Sequence, residues 1–272
     1  MLWLALHLPN LSLEAWCSTL PAEDAARPLA LVGQHRISAA NASAAGAGVR
    51  VGLKRTTALA LCADLRLGEA DPLRDAAALL AVAHAALAFT PMVTLQGRAT
   101  VLLELQASLR YFGGLTCLLE RLRQALAPLG HRLQLATAPT ALGAALLAQW
   151  PGRRGDDLAE GPHTRQLRAL QQLLDQAPVW LLGPGREHWE ALQGMGLRTL
   201  SDLRTLPRSG VARRFSESLL DELDRAYGLQ PDPRQPLLPP PVFEDRLELS
   251  TRADSTAQVL HAAGLLLERL LA

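Results

Sequence analysis

Through the first 150 residues, short apolar runs alternate with helix-spaced ones, and this rhythm limits the folds open to the chain more than any other feature. Leu2 to Leu8 alternates weakly and stops at Pro9-Asn10, as a short buried strand does. A helical pattern follows from Ser12 through Ser18, with Ser12 as its expected cap. Leu29-Ala-Leu-Val-Gly33 reads as a second strand. Pro72 to Phe89 is apolar at helical spacing and closes at Thr90-Pro91, which predicts a long buried helix. Thr100 to Gln106 then reads as a strand, Thr116 to Leu126 as an amphipathic helix, Arg132 to Ala138 as a strand, and Thr140 to Gln149 as a helix built almost wholly of Ala and Leu. The order β-α-β-α-β-α predicts an α+β layer with helices packed on a sheet. With 272 residues, 49% of them hydrophobic, the chain can bury a substantial core.

Two segments break the rhythm. From Ile37 to Leu67 small residues dominate, with Gly46, Gly48 and Gly52 separating two short helices, so a small α-rich insertion is expected. Beyond Pro151 a polar connector, Gly152 to Asp157, leads into a stretch that reads as short helices as far as Gly228, a second and all-α unit. Pro231, Pro233, Pro236, Pro239, Pro240 and Pro241 favour an extended linker. Val242 to Leu249 then reads as a strand and Ser255 to Leu271 as an amphipathic helix.

The N-terminal run lacks a basic region and reaches Pro9 too early for a signal peptide or a membrane span, so a soluble cytoplasmic protein is expected. Cys17, Cys62 and Cys117 match no metal-ligand spacing and read as three reduced thiols. The net charge of +1 by itself predicts no polyanion partner, although a basic face can hide within the total. Lys54 is the one lysine among 27 basic residues, a skew that fits coding composition.

Gly183-Pro-Gly185, between an apolar run and a helix expected to begin near Arg186, has the arrangement of a helix-hairpin-helix phosphate clamp. There glycine amides and a helix N-terminus face an anion, and Pro184 removes one donor. A lone GPG is also a plain turn. Just downstream lie Arg198, Arg204, Arg208, Arg213 and Arg214 with Asp202 alone among them. After them come Glu217, Asp221, Glu222 and Asp224. Charge segregated in this way suits arginines facing a phosphate backbone, and equally a solvated helix surface. Carboxylates are scarce where a catalytic sheet would carry them, since across the first 150 residues only Glu104 falls inside a predicted strand. Two-metal phosphoryl transfer needs several, converging on ions about 3.5–4 Å apart. His7, which ends the first strand, reads as a structural residue rather than a ligand. Serine-hydrolase and NTPase signatures are absent.

Read in order, several segments resemble the Y-family translesion DNA polymerases. Phe89-Thr-Pro-Met-Val93 with Leu103-Glu-Leu-Gln-Ala-Ser-Leu-Arg-Tyr-Phe-Gly-Gly114 is similar to the family's palm signature, and Leu135-Ala-Thr-Ala-Pro-Thr-Ala-Leu142 to a second palm segment. Val49-Arg-Val-Gly-Leu53 with Ala60-Leu-Cys-Ala-Asp-Leu65 is similar to the fingers. Met195 to Leu203, with Leu206-Pro207, Arg213-Arg-Phe215 and Gly228, is similar to the thumb. Aligned on these segments, the first-strand carboxylate positions fall on Ala5 and His7, and the adjacent metal-binding pair falls on Ala99 and Thr100. The triphosphate-gripping tyrosine and arginine fall on Ala42 and Ala45, and a lysine of the family's pattern falls on Ala145. Losing metals and anion grip together is coherent, because an incoming nucleotide's charge would have no compensation.

That pattern resembles the noncatalytic, ImuB-like branch of the family. It implies a right-hand-shaped α+β architecture with a palm at residues 1–10 and 76–162 and fingers at 11–75. An all-α helix-hairpin-helix thumb spans 163–233, a Pro-rich linker 234–242, and the beginning of an incomplete little finger 243–272. It also implies no catalysis, no metal and no cofactor, with primer-template or damaged DNA held through Gly183, Gly185, Arg186, Arg198, Arg204, Arg208, Arg213 and Arg214. The partners it implies are an ImuA-like RecA-fold protein, an error-prone C-family DNA polymerase and a sliding clamp, although no clamp-binding motif stands out in this chain. The alternative is an active translesion polymerase with non-standard ligands such as Glu104 and His7. A protein-interaction platform without DNA is a third reading.

Overall fold

The computed structural model describes residues 1–150, 160–238, 244–249 and 252–271. They divide into two compact units, one formed by Met1–Pro9, Ala86–Leu119 and Leu133–Leu237, the other by Asn10–Ala85, Glu120–Arg132 and Leu238–Ala272.

The first unit is organised by a five-stranded sheet. Its strands are β1 (Trp3–His7), β5 (Val93–Gln96), β6 (Thr100–Glu104), β7 (Gln134–Ala138) and β8 (Glu160–His163), in the order β5-β6-β1-β7-β8. The central strand β1 runs antiparallel to both neighbours, with His7 opposite Thr100 on β6 and Gln134 on β7. Alternation sends Trp3 and Ala5 to one face, where they share a core with Leu102, Ala136, Ala138 and the Ala141–Gln149 helix. That helix is apolar all round and accordingly buried from Ala141 through Ala148. Thr140 caps it, accepting from the Gly143 amide at 3.1 Å and donating to the Ala226 carbonyl at 2.8 Å. The same core continues through Leu170, Leu174, Leu200, Leu219 and Tyr227 into the all-α part of the unit.

Two strands of this sheet escape the sequence reading. β8, in a stretch read as short helices, pairs parallel to β7 at the sheet edge, and its Gly161-Pro162 carries no strand signal. Gly161 lies close against β7, where a Cβ would stand 3.0 Å from the Leu135 carbonyl. β5 is too short to announce itself. Residues 231–238 form no helix or strand, Pro239, Pro240 and Pro241 of the expected linker lie outside the described residues, and Leu237 donates its amide to the Val93 carbonyl at 2.7 Å, continuing the hydrogen bonding of β5.

The second unit is not simply α-rich. Besides short helices it contains β2 (Leu29–Gly33), β3 (Arg36–Ala40) and β4 (Arg66–Glu69), with β2 antiparallel to β3 and parallel to β4. β2 serves two cores by alternation: Leu29 and Leu31 pack with Leu13, Trp16 and Leu20, while Ala30 packs with Ile37, Ala44 and Ala58. Gly68 on β4 lies so close to the Trp16 ring that a Cβ would sit 2.6 Å from it. Ser12 does not cap the first helix. That helix runs Leu11–Cys17 with Asn10 at its N-cap, and the Ser12 hydroxyl instead donates to Asp75.

The polar connector 152–157 lies outside the described residues, as do Val242 and Phe243 of the strand expected near the C-terminus. Residues 244–249 form no strand, and the final helix is Thr256–Leu271. The three cysteines are unpaired, and burial pushes the Cys17 thiol up. Among the described residues no helix is long and apolar enough to cross a membrane.

Candidate nucleic-acid interface and the altered catalytic face

Three of the positions aligned with metal-binding carboxylates come together at one end of β1. The His7 Nδ1 lies 2.9 Å from the Thr100 Oγ1, and the ring is also hydrogen-bonded to the Ala99 backbone. Burial, together with the nearby Arg186 guanidinium, holds the His7 pKa below its usual value despite that backbone bond, so the ring is neutral at neutral pH. A neutral, mutually hydrogen-bonded set therefore stands where the resemblance places charged ligands. Ala5 and Thr100 are 0% and 1% exposed, leaving no room for larger groups without displacing core atoms.

Glu104, the carboxylate of β6, faces a different task. Its Oε1 accepts from the backbone amides of Leu2 and Gln106 at 3.2 and 3.1 Å. It pairs across the sheet with Trp3 rather than His7. Four residues along an antiparallel strand amount to about 13 Å, so Glu104 and His7 cannot share one ion. Among the described residues no three His, Cys, Asp or Glu side chains gather as a metal site. Ala145 is 0% exposed in the core. Ala42 and Ala45 lie in the other unit on the short helix Ala42–Gly46, which Asn41 caps by accepting from the Ala44 amide.

The glycine pair sits differently from its expected place. The helix begins at Gly183 rather than near Arg186 and runs to Glu187, because Pro184 presets the backbone of a first turn. Gly185 is buried, and a Cβ there would stand 2.2 Å from the Val179 carbonyl oxygen, so its lack of a side chain serves a backbone crossing. The Gly183 amide is turned toward Glu222, donating to Oε2 at 3.0 Å. Burial raises the Glu222 pKa, offset in part by that amide bond. A carboxylate of the chain thus occupies one of the donors expected for an external anion.

The arginine run also changes character in space. Arg204 pairs with Asp175 at 2.6 Å and lies over the Tyr227 ring, 4.4 Å from its centroid. Arg208 grips Asp224 through two bonds of 3.0 and 2.6 Å. The charge segregation of the sequence is thereby partly cancelled between elements. Arg186 donates through Nε to the Trp180 carbonyl at 3.4 Å, and Arg198 is exposed at the start of the Thr199-capped helix Leu200–Arg204. Arg213 and Arg214 end the Arg208–Arg214 helix on its exposed side. Among the described residues neither meets a carboxylate, and Arg214 lies 6.0 Å from the Phe215 ring centroid.

No protein-family model matches this chain. It is 33% identical over 181 residues to Protein ImuB of Caulobacter vibrioides, in strain NA1000 / CB15N and equally in strain ATCC 19089 / CIP 103742 / CB 15. Each match covers 66% of this chain and 38% of the relative. The structure is similar to a Dbh ternary complex, with a TM-score of 0.66 at 14% identity over 87% of this chain and 69% of the other. It is also similar to DinB from Sulfolobus solfataricus, at 0.63 and 15% over 87% and 70%. A Y-family DNA polymerase chimera of Dbh gives 0.63 at 13% identity, covering 86% and 70%. The chain is an ImuB homologue with a Y-family polymerase fold.

The chain spans about two fifths of the length of the ImuB relatives it matches. Several features of this ImuB homologue left no trace in the sequence patterns. Glu222 gives no sign of reaching Gly183 from 39 residues away, and Asp175 none of pairing with Arg204. Arg234, within the Pro-rich stretch, pairs with Asp232 at 2.6 Å and donates to Gln96. Apart from the local Arg234–Asp232 pair, these contacts depend on tertiary placement.

Proposed function

We propose that this chain is a noncatalytic, Y-family-like DNA-binding scaffold of bacterial translesion synthesis, acting in damage-induced mutagenesis. In this reading residues 1–10 and 76–162 are the palm, 11–75 the fingers, 163–233 the thumb, 234–242 a linker and 243–272 the beginning of a little finger. It assists an error-prone C-family polymerase in the cytoplasm, together with an ImuA-like RecA-fold protein and the sliding clamp. The partner assignments rest on the likeness to ImuB. The observation that carries the noncatalytic reading is the His7–Ala99–Thr100 cluster. A neutral imidazole bonded to a hydroxyl and a backbone carbonyl offers divalent magnesium none of the anionic oxygen it requires.

DNA is held by what remains. Exposed Arg213 and Arg214 face the phosphate backbone of primer-template DNA, with Arg186 and Arg198 contributing charge. Arg204 and Arg208, already paired, contribute mainly to folding. Arg213→Glu/Arg214→Glu is expected to weaken binding to primed duplex and to reduce the slope of log affinity against log salt by about 1.8, that is about 0.9 for each phosphate no longer neutralised. Fluorescence anisotropy over a salt series measures both. An unchanged affinity and slope refutes the role of Arg213 and Arg214, and no binding at low salt refutes DNA holding altogether.

Glu222 tempers the clamp. Glu222→Gln keeps an oxygen for the Gly183 amide and removes a negative charge, so duplex affinity should rise by about two- to fivefold at neutral pH, the scale of one exposed charge pair. Burial already raises the Glu222 pKa, so wild-type affinity should approach the variant's as the pH falls through that value. Parallel anisotropy titrations of the two proteins check this.

A further inference from the structure

From Ala25 to Ala63 the chain contains no aspartate or glutamate, yet it carries Arg27, His35, Arg36, Arg50, Lys54 and Arg55. The second unit brings two of these basic segments side by side. The turn joining β2 to β3 is made by Gln34 and His35, both left-handed at φ 51° and 62°, a conformation that asparagine and glycine adopt at lower cost. Contacts from the second segment hold it. Arg55 donates its amide to the His35 carbonyl at 3.0 Å, Arg36 bridges to Lys54 in antiparallel fashion, and the Arg36 guanidinium donates to the Gly52 carbonyl at 2.8 Å.

The result is an open groove of about 370 Å³ lined by Gln34, His35, Arg36, Lys54, Arg55 and Thr56. All six of these residues are exposed, and no carboxylate lines the groove. Among the described residues His35, Lys54 and Arg55 form no ion pair. Gathering cations without counter-charge concentrates a positive potential that an anion relieves, and a strained turn kept in place by its surroundings is a mark of function. The Gln34 amide and the Thr56 hydroxyl add neutral donors suited to phosphate oxygens.

We propose that this groove binds phosphate groups of a single DNA strand, a contact separate from the arginines of Arg208–Arg214. The choice of DNA as the phosphate source rests on the DNA-holding reading above. The groove's affinity for phosphate does not.

The test uses the full chain and a fluorescent oligothymidylate. Lys54→Glu/Arg55→Glu should lower affinity by about tenfold and reduce the salt slope by about 1.4, twice the single-strand increment per phosphate. Lys54→Gln/Arg55→Gln, checked for an unchanged melting temperature, should shift in the same direction by less. Inorganic triphosphate at equal phosphate concentration should compete weakly. Competition equal to that of the oligonucleotide would reassign the groove to a free polyphosphate and overturn the proposal, as would affinity within about twofold of wild type in the charge-reversed variant. Arg213→Glu/Arg214→Glu separates the two readings. If that change leaves duplex binding intact while the groove variant loses the single strand, the arginine-helix reading fails and this one stands. The opposite pattern removes only the groove.

Discussion

Gly185→Ala is expected to destabilise the chain by about 3 kcal/mol or more, at the upper end of overpacking costs. That corresponds to a fall in melting temperature of about 6–12 °C for a domain of this size. The new methyl would sit 2.2 Å from the Val179 carbonyl and 3.0 Å from a Val179 methyl, and a backbone oxygen cannot rotate away as a side chain can. Gly210→Ala is the matched control. Gly210 lies in the exposed Arg208–Arg214 helix, where a methyl group would meet nothing within 4 Å, so alanine there should stabilise by about 0.5–1 kcal/mol through helix propensity. Circular-dichroism melts of both variants measure the contrast. Equal behaviour would mean that Gly185 is not a point of close backbone approach.

A second large effect is expected where the resemblance places the first catalytic carboxylate. Ala5→Asp sets a carboxylate on the central strand at a site with 0% exposure, against Leu102 and Ala136. With His7 already bonded to Thr100 and the site closed to water, the new group finds no hydrogen-bonding side chain in its cross-strand neighbours Leu102 and Ala136. An uncompensated buried charge costs about 3–5 kcal/mol, or the group protonates instead. The urea midpoint should therefore drop sharply at pH 7 and recover in part at acid pH, where the carboxyl is neutral. Stability equal to wild type, or stability restored by magnesium, would show a latent ligand cage instead of a filled core. Reinstating one carboxylate is thus expected to damage the fold without creating an active site.

How far the sequence reveals this molecule depends on how local each determinant is. β1 and the Ala141–Gln149 helix declare themselves because their patterns arise from their own residues. β4 and β8 do not. Each is four residues long and holds a glycine, and each exists because a partner strand, β2 or β7, lies parallel to it at a distance in sequence. Arg36–Ala40 reads as small-residue filler until Leu29–Gly33 is placed beside it. That the positions marked by the polymerase resemblance hold no carboxylate was legible from the chain, whereas the bond between His7 and Thr100 depends on strand register. Likewise, arginines and acids that look segregated along the chain meet as Arg204–Asp175 and Arg208–Asp224 once helices pack, which leaves Arg213 and Arg214 as the exposed pair.

Primer extension by the purified chain on a primed template, with all four deoxynucleotides and either magnesium or manganese, tests the noncatalytic reading most directly. A neutral imidazole-hydroxyl pair in place of metal ligands predicts no elongated product above a protein-free control, even at protein concentrations where the template is fully bound. Elongation that depends on the added metal and co-purifies with the chain would contradict it.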